Sequence, residues 1–545
     1  MRQPLSQFHL KMKHLIVFII AAVLHLFSFG QNMEITWQSC FGGSEQDIAR
    51  DIIEIPGGYF IVGSTFSDDG DISINKGLSD GWLIKTDDSG NMLWEKTYGG
   101  SSGDGFRRIF PDNTGNYILA GASGSSNGDI NYNPYPGSES FWIVKIDIEG
   151  NIIWDKIVGG SYGDKIWNAS PTLDGGVVAI GQTISDDGHV SVFYGGNDTW
   201  FVKLSADGEV EWDYTIGTGW FDIGQAIIQT SDGGYLAGSN SIILQGAVGN
   251  ITCIPPSYGY VTGVLTKFDA DMNVQWQHCY GGNNHDAISG ILELDDGYVF
   301  VGSSESTNMP GHHGDVDVWV VRIDFDGNII WQKVYGGSRG EGGENIFATD
   351  DDGFIVVGNT NSNNGDVSGN HSYSEHYTDI WIFKINSVGE LQWQKCFGGG
   401  GREEIYKGVV RKSDSNFVIA GVTNFGPSYD VGCMPYGGNY VLNKDFWVFE
   451  ILKDDTVNVI TPAVSAGGIR VYPNPATTEI RLQLPENLPL TAMQIQLYSP
   501  SGRLLYQAEP QDYFHRIDLA RLPAGLYLVR LWDGERWYAE KLVVR

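Results

Sequence analysis

Residues 31–453 repeat one pattern of apolar and polar positions. A strand-like run ending in an aromatic residue is followed by Gly-Gly, giving the phrase Trp-x-x-x-[Phe/Tyr]-Gly-Gly at Trp37 to Gly43, Trp94 to Gly100, Trp276 to Gly282, Trp331 to Gly337 and Trp393 to Gly399. Trp154 and Trp212 head two degenerate copies. The anchors at 37, 94, 154, 212, 276, 331 and 393 recur every 55 to 64 residues, a period that belongs to solenoids and propellers.

A second phrase precedes most anchors, a Trp with a cation three residues on: Trp82 and Lys85, Trp142 and Lys145, Trp200 and Lys203, Trp319 and Arg322, Trp381 and Lys384. The fourth unit has Val264 and Lys267, and the seventh has Trp447 and Glu450. Between the two phrases stands Asp-x-x-Gly-Asn or a variant, such as Asp147 to Asn151, a turn whose Gly tolerates positive φ, so the phrases form a hairpin. The other half of each unit reads as two more strands around a second turn, as in Ala226 to Ser239. Four antiparallel strands per unit, A to D, make a propeller blade. Strand A is expected near Ile48, Arg107, Lys165, Ile223, Ala287, Asn345 and Ile405. The first D strand, Ile35 to Gly43, precedes any A strand while the last unit lacks its own D, so the pattern predicts seven blades with the N-terminal strand closing the last. The D-to-A and B-to-C loops then share one face. Long insertions at 241–262, 361–378 and 424–444 place any localised function there.

Composition sharpens this picture. Gly is 73 of 545 residues, in keeping with many turns, and 66 acidic against 34 basic residues give a formal charge of -32. Such acidity argues against nucleic acid or an anionic membrane as partner. The first 30 residues hold Arg2, Lys11 and Lys13, no acid and the apolar run Leu15 to Phe29, which reads as a secretory signal over 1–30. No later stretch approaches that apolar length, so no transmembrane segment is expected in the mature chain. Five cysteines leave at least one thiol unpaired in a monomer. Cys40, Cys279 and Cys396 share one position on strand D of different blades and are expected as buried thiols, and a bridge between Cys253 and Cys433, on loops of distant blades, is not expected.

After residues 31–453 the pattern stops, residues 454–468 read as a linker, and a different domain occupies 469–545. Residues 31–469 carry 22 basic and 58 acidic residues, whereas 470–545 carry nine and eight, so the acidity is the propeller's alone. Alternating short runs such as Glu479 to Leu484 and Leu526 to Trp532 predict a small antiparallel sandwich. The segments Val471-Tyr472-Pro473-Asn474-Pro475, Leu497 to Gly502, Leu522 to Tyr527 with Gly525, and the ending Lys541 to Arg545 resemble the C-terminal type A sorting domain of type IX secretion substrates. The resemblance implies an immunoglobulin-like sandwich, and as partners the type IX machinery at the outer membrane and a sortase-like protease. Its motif residues here are Tyr472, Pro473, Asn474, Pro475, Gly502, Gly525, Tyr527 and Lys541. The propeller part is similar to Trp/Gly-Gly repeats of proteins exported by this route, a similarity that implies location and no activity.

Within the propeller an acid stands four residues beyond each second Gly of the Gly-Gly phrase or its degenerate equivalent: Asp47, Asp104, Asp164, Asp222, Asp286, Glu341 and Glu403. Two readings are open. The seven carboxylates ring one mouth of the channel, holding a cation or repelling anions, or each caps its own D-to-A turn. Asp69 with Asp71, Asp129, Asp315 and Asp366, flanking loop glycines, are weak calcium candidates, since Asx-turns use the same residues. His312, His313, His371 and His376 lack a zinc-ligand spacing and are expected as solvated loop residues. No nucleophile elbow, P-loop, zincin or dinucleotide motif occurs in usable context. The chain therefore reads as an all-β, secreted or surface-attached, non-catalytic propeller that binds glycan or protein. The alternatives are a carbohydrate-active hydrolase or lyase using loop-face acids, and a purely structural surface protein.

Overall fold

The computed structural model describes residues 33–453 except 373, 375 and 437–442, and residues 470–544 except 473–475, 477–478, 485–489, 491–492, 500–503, 511, 520–521, 523–524 and 533–536. The chain divides into two compact units at Asp454/Asp455. The expected signal segment 1–30 and linker 454–468 lie outside the described residues. No helix among the described residues is long and apolar enough to cross a membrane.

Among its described residues the first unit contains seven four-stranded antiparallel sheets. Blade I comprises Asp47–Ile55, Gly58–Thr65, Asp80–Thr86 and Met92–Tyr98, paired in that order. Blades II to VI repeat this order, with A strands Asp104–Pro111, Asp164–Pro171, Asp222–Gln229, Asp286–Leu294 and Glu341–Ala348. Blade VII has A, B and C strands Glu403–Ser413, Asn416–Thr423 and Asp445–Lys453, and its outer strand is the N-terminal Met33–Phe41. That strand pairs Met33 with Lys453 and Phe41 with Phe446, so main-chain hydrogen bonds join the two ends of the ring. Strand A of each blade packs on strand A of the next, and blade VII on blade I, which makes A the axial strand. Each A strand begins at its acid, up to four residues before the position expected from the apolar pattern.

The repeated phrases have physical causes. The C-strand tryptophans Trp82, Trp142, Trp200, Trp319, Trp381 and Trp447 are fully buried. Each passes its indole N–H to a D-strand side chain, for example Glu95 at 2.9 Å or Gln394 at 2.9 Å, so a large apolar ring is buried with its polar atom satisfied. The D-strand Trp packs between blades instead: a Cβ on Gly90, in the next blade's C-to-D turn, would meet the Trp37 ring at 2.3 Å. In blades II to VI the C-strand cation pins the A-to-B turn, as in Lys145–Asp112 at 2.7 Å and Lys384–Asp351 at 2.6 Å, whereas Lys85 of blade I donates to Ile148 O at 3.3 Å. In blade VII the charges are exchanged, Glu450 meeting Lys412 at 3.2 Å.

Cysteine pairing corrects the expectation. Cys40 on the closing strand is bonded to Cys433 in the long loop of blade VII, and Cys279 on a D strand to Cys253 in the long loop of blade IV. Each long loop folds back over its own blade's outer strand and brings a loop cysteine to a strand cysteine. Only Cys396 is a free, buried thiol among the described residues.

In the second unit a three-stranded sheet of Arg470–Tyr472, Glu479–Gln483 and Phe514–Asp518 faces a four-stranded sheet ordered Leu504–Ala508, Gln494–Tyr498, Gly525–Trp532, Trp537–Val544. Ile480, Leu482 and Ile517 of one sheet and Ile495, Leu497, Val529, Leu531 and Leu542 of the other share one core. Of the motif residues, Pro473, Asn474, Pro475 and Gly502 lie outside the described residues. Tyr472 ends a strand, Gly525 begins one, Tyr527 is buried and Lys541 pairs with Leu528 across the sheet.

Candidate functional site

The seven acids at the start of strand A are buried, none more than 3 % exposed. In each blade a carboxylate oxygen accepts the backbone N–H four residues upstream: Gly43 to Asp47 at 2.7 Å, Gly100 to Asp104 at 2.8 Å, Gly160 to Asp164 at 2.7 Å, Thr218 to Asp222 at 2.8 Å, Gly282 to Asp286 at 2.6 Å, Gly337 to Glu341 at 2.7 Å and Gly399 to Glu403 at 2.8 Å. Hydroxyls at the B-strand end complete the shell, as Ser125 does for Asp104 at 2.7 Å and Thr423 for Glu403 at 2.7 Å. Local capping thus describes the geometry of these acids. Burial pushes up the carboxyls of Asp286 and Glu341, those of Asp47, Asp164 and Asp222 to about 6, and that of Glu403 to about 8.

Sequence reasoning missed a second acid series at the first residue of strand C: Asp80, Asp198, Asp317, Asp379 and Asp445, with Ser140 in blade II. The signal was present, since each stands two residues before the buried Trp. One oxygen accepts a loop N–H, such as Lys76 to Asp80 at 3.0 Å, while the other oxygen of Asp80, Asp198, Asp317 and Asp379 is buried without a hydrogen-bond partner. Burial raises these carboxyls to about 6 in Asp80 and Asp198 and about 8 in Asp445. The series explains the Gly-Gly phrase. A Cβ on Gly99 would lie 2.4 Å from Asp80 Oδ1 and 2.7 Å from Asp104 Oδ2, and one on Gly336 2.2 Å from Asp317 Oδ1 and 2.5 Å from Glu341 Oε2. The first Gly thus leaves room for two carboxyl groups from adjacent blades, and the second supplies the N–H that caps one of them.

The calcium candidates clamp the same turns. Asp69 accepts from Ser44 N–H at 2.7 Å, Asp71 from Gly42 at 3.1 Å, Asp129 from Gly99 at 3.0 Å and from Lys76 Nζ at 2.7 Å, and Asp366 from Gly336 at 3.3 Å. Asp315 is exposed. Among the described residues no group of three or more His, Cys, Asp or Glu side chains is arranged to hold a metal ion. Two histidines depart from the solvated-loop expectation. His312 Nδ1 lies 3.2 Å from Asp317 and His371 Nδ1 2.9 Å from Asp379, whose hydrogen bond raises the His371 pKa above the ordinary range. His313, with Nε2 3.8 Å from Asp366, and His376 are exposed.

With the acids committed to turns, the two faces of the ring differ most in their aromatic residues. Of ten well-exposed aromatic side chains among the described residues, nine belong to the D-to-A and B-to-C face, Tyr132, Tyr162, Trp220, Tyr258 and Tyr429 among them, and only Phe325 lies on the opposite face. The channel below that face is filled by a polar network around a cavity of about 170 Å³. There Arg108 meets Asp51 at 2.9 Å and Asn168 at 3.0 Å, and Lys407 donates to Ser289 O at 2.9 Å. Desolvation pulls the Lys407 amine down.

Residues 470–545 match the family model described as the secretion system C-terminal sorting domain. The chain is therefore similar to type IX secretion substrates, and the domain marks it for export to the cell surface or the medium. No curated protein matches the sequence. Among solved structures, Drosophila Plexin A in complex with Semaphorin 1b is similar at 7 % identity and a TM-score of 0.40, over 79 % of this chain and 89 % of that one. Drosophila Semaphorin 1b, extracellular domains 1–2, is similar at 8 % and 0.39 over the same shares, and a putative 6-phosphogluconolactonase of Bacteroides fragilis at 13 % and 0.36, over 66 % and 98 %.

Proposed function

We propose that this chain is an exported, non-catalytic binding module that presents the loop face of its propeller to a glycan or protein at or beyond the cell surface. The observation that carries the reading is the placement of nine of the ten well-exposed aromatic side chains on that face. Aromatic residues supply large contact area at low entropic cost, and an exposed concentration of them marks recognition surfaces. The committed state of the acids supports binding over hydrolysis, because a buried carboxylate holding turn N–H groups is not presented to a substrate. In this reading segment 1–30 directs passage into the periplasm, and the C-terminal domain engages the type IX machinery and a sortase-like protease at the outer membrane. Binding of the mature chain, residues 31–545, to a broad glycan array and to extracellular proteins tests it, with Tyr132→Ala/Tyr258→Ala and Trp220→Ala as loop-face variants. Reproducible binding that these changes weaken supports the proposal. Turnover of a bound polysaccharide, or binding indifferent to every loop-face change, overturns it. Deleting residues 469–545 should trap the propeller in the periplasm, and normal surface display of the truncated chain would overturn the export part.

A further inference from the structure

The A strands share a device that the repeat pattern does not announce. In blades I to VI the A–B pairing skips one residue at the same step, between Ala49 and Asp51, Phe106 and Arg108, Ile166 and Asn168, Gly224 and Ala226, Ile288 and Gly290, and Gly343 and Asn345. Blade VII shifts over a longer stretch, between Ile405 and Val409. A β-bulge re-aims the unpaired side chain, and such bulges concentrate beside sites. Four of these residues meet in two pairs between neighbouring blades. The Arg50 guanidinium lies 4.0 Å from the Tyr406 ring centre, and that of Arg107 4.3 Å from the Trp167 ring centre.

Both arginines line one cavity of about 490 Å³ at the loop-face mouth, with Gln46, Ser64 and Ser102 as polar wall and half-exposed Phe66 at the rim. Among the described residues neither guanidinium has a carboxylate within ion-pair distance. Of the two acids in the same wall, Asp104 accepts from the Gly100 N–H and the Ser125 hydroxyl, and Glu139 faces Lys165 at 3.8 Å and acts on Arg107 from farther off, as Glu344 does on Arg50. The neighbouring Arg108 shows the contrast, being held by Asp51 at 2.9 Å. Burial, and after it the charge of Arg50, pull the Arg107 pKa down to about 10 against the opposing effect of Glu139, so two like charges share one cavity of a propeller of strongly acidic composition. Two guanidinium groups held on aromatic faces, with no carboxylate within ion-pair distance, can serve as a fork for a carboxylate.

We propose that the axial mouth between blades I and II binds an acidic saccharide, the carboxylate of a uronic acid unit seating between Arg50 and Arg107 while its hydroxyls meet the Ser and Gln wall. The proposal rests on the binding reading above and names its ligand class.

The test is calorimetric titration of the mature chain with tetragalacturonate, a neutral galactose tetramer and a sulfated galactose tetramer, repeated for Arg107→Gln, Arg50→Gln and, as a control on the opposite face, Arg411→Gln. The expected result is binding of tetragalacturonate in preference to the neutral tetramer. Each cavity substitution should weaken it about 10- to 100-fold, as for the loss of a charged hydrogen bond, with Arg411→Gln unchanged and the affinity falling with salt. Three outcomes overturn the carboxylate site. Equal binding of the neutral tetramer, insensitive to Arg107, refutes the site while leaving a glycan-binding loop face in place. Preference for the sulfated tetramer assigns the cavity to another anion. No binding of any tetramer, with retained binding to a protein on the array, removes saccharides from the site and keeps the binding module.

Discussion

The first residue of strand A is an acid in all seven blades, whereas three residues later blades I to VI place Arg50, Arg107, Trp167, Gln225, Ser289 and Glu344 at the bulge and blade VII has Tyr406. Both positions sit on the axial strand. The acid answers a need that every blade has, because the turn entering it carries backbone N–H groups that must be satisfied once buried. The bulge residue answers no such shared need, and its identity is free to serve a ligand. Repetition within this chain therefore marks what closes each blade, and variation at a structurally fixed position marks what a blade can offer to a partner.

The comparison can be broken or sharpened by measurement. The largest effect is expected at the seam of the ring. Replacing Cys40 and Cys433 by Ala opens a link spanning 393 residues and should cost about 3–5 kcal/mol in chemical denaturation, more than removing Cys253–Cys279, which spans 26. An equal cost for the two bridges would show that ring closure is held by the strand pairing alone.

Next, Asp104→Ala strands the Gly100 N–H and the Ser125 hydroxyl in a buried turn and should cost about 2–4 kcal/mol by urea unfolding. A loss below about 0.5 kcal/mol would contradict the structural reading of the acid series. A smaller effect follows from pH. Asp47, Asp80, Asp164, Asp198 and Asp222 titrate at about 6 in the fold, and Glu403 and Asp445 at about 8, above the ordinary carboxyl values of 3.8 and 4.5. The folded state therefore binds more protons than the unfolded one. The contribution of these groups is complete below about pH 4 and is lost as pH rises through 6 and 8. Asp174, Asp232 and Asp351, lowered to about 2, act oppositely, and their contribution is lost only as pH falls through 2. Tm should thus be higher at pH 5 than at pH 8 in a thermal scan across that range. A Tm that climbs toward pH 8 would mean that the carboxyls are ionised in the fold and neutralised by something else. The smallest stability change belongs to Arg107→Gln, within about 0.5 kcal/mol, because the side chain has no ion pair to lose; a cost like that of Asp104→Ala would erase the distinction between the two rings.

Much of the architecture was legible because each blade is local in sequence. Trp-x-x-x-[Phe/Tyr]-Gly-Gly, the Trp with its cation and the Gly turns all lie within one 60-residue unit, and the surplus first D strand pointed to its role as the outer strand of blade VII. The acids were found by the same periodicity. Their function as caps was one of two open readings, since a carboxylate four residues after a Gly looks the same in a sequence whether it faces a channel or a turn. The second acid series escaped notice because its importance comes from Gly99 or Gly336, about twenty residues later, which leaves room for it beside an acid of the next blade. The cysteines were misread because Cys40 and Cys433 stand at opposite ends of the propeller, and only ring closure makes them neighbours.

By itself the sequence determined the repeat, the strand order within a blade, the closing strand and the separate, nearly neutral C-terminal domain with its export motif, because periodic burial, turn chemistry and local motifs are properties of consecutive residues. The tertiary structure decided which carboxylates cap turns, which thiols join and which arginines form no ion pair. Each of those outcomes depends on side chains brought together from different blades, and the packing of one blade on the next sets their distances and their access to water.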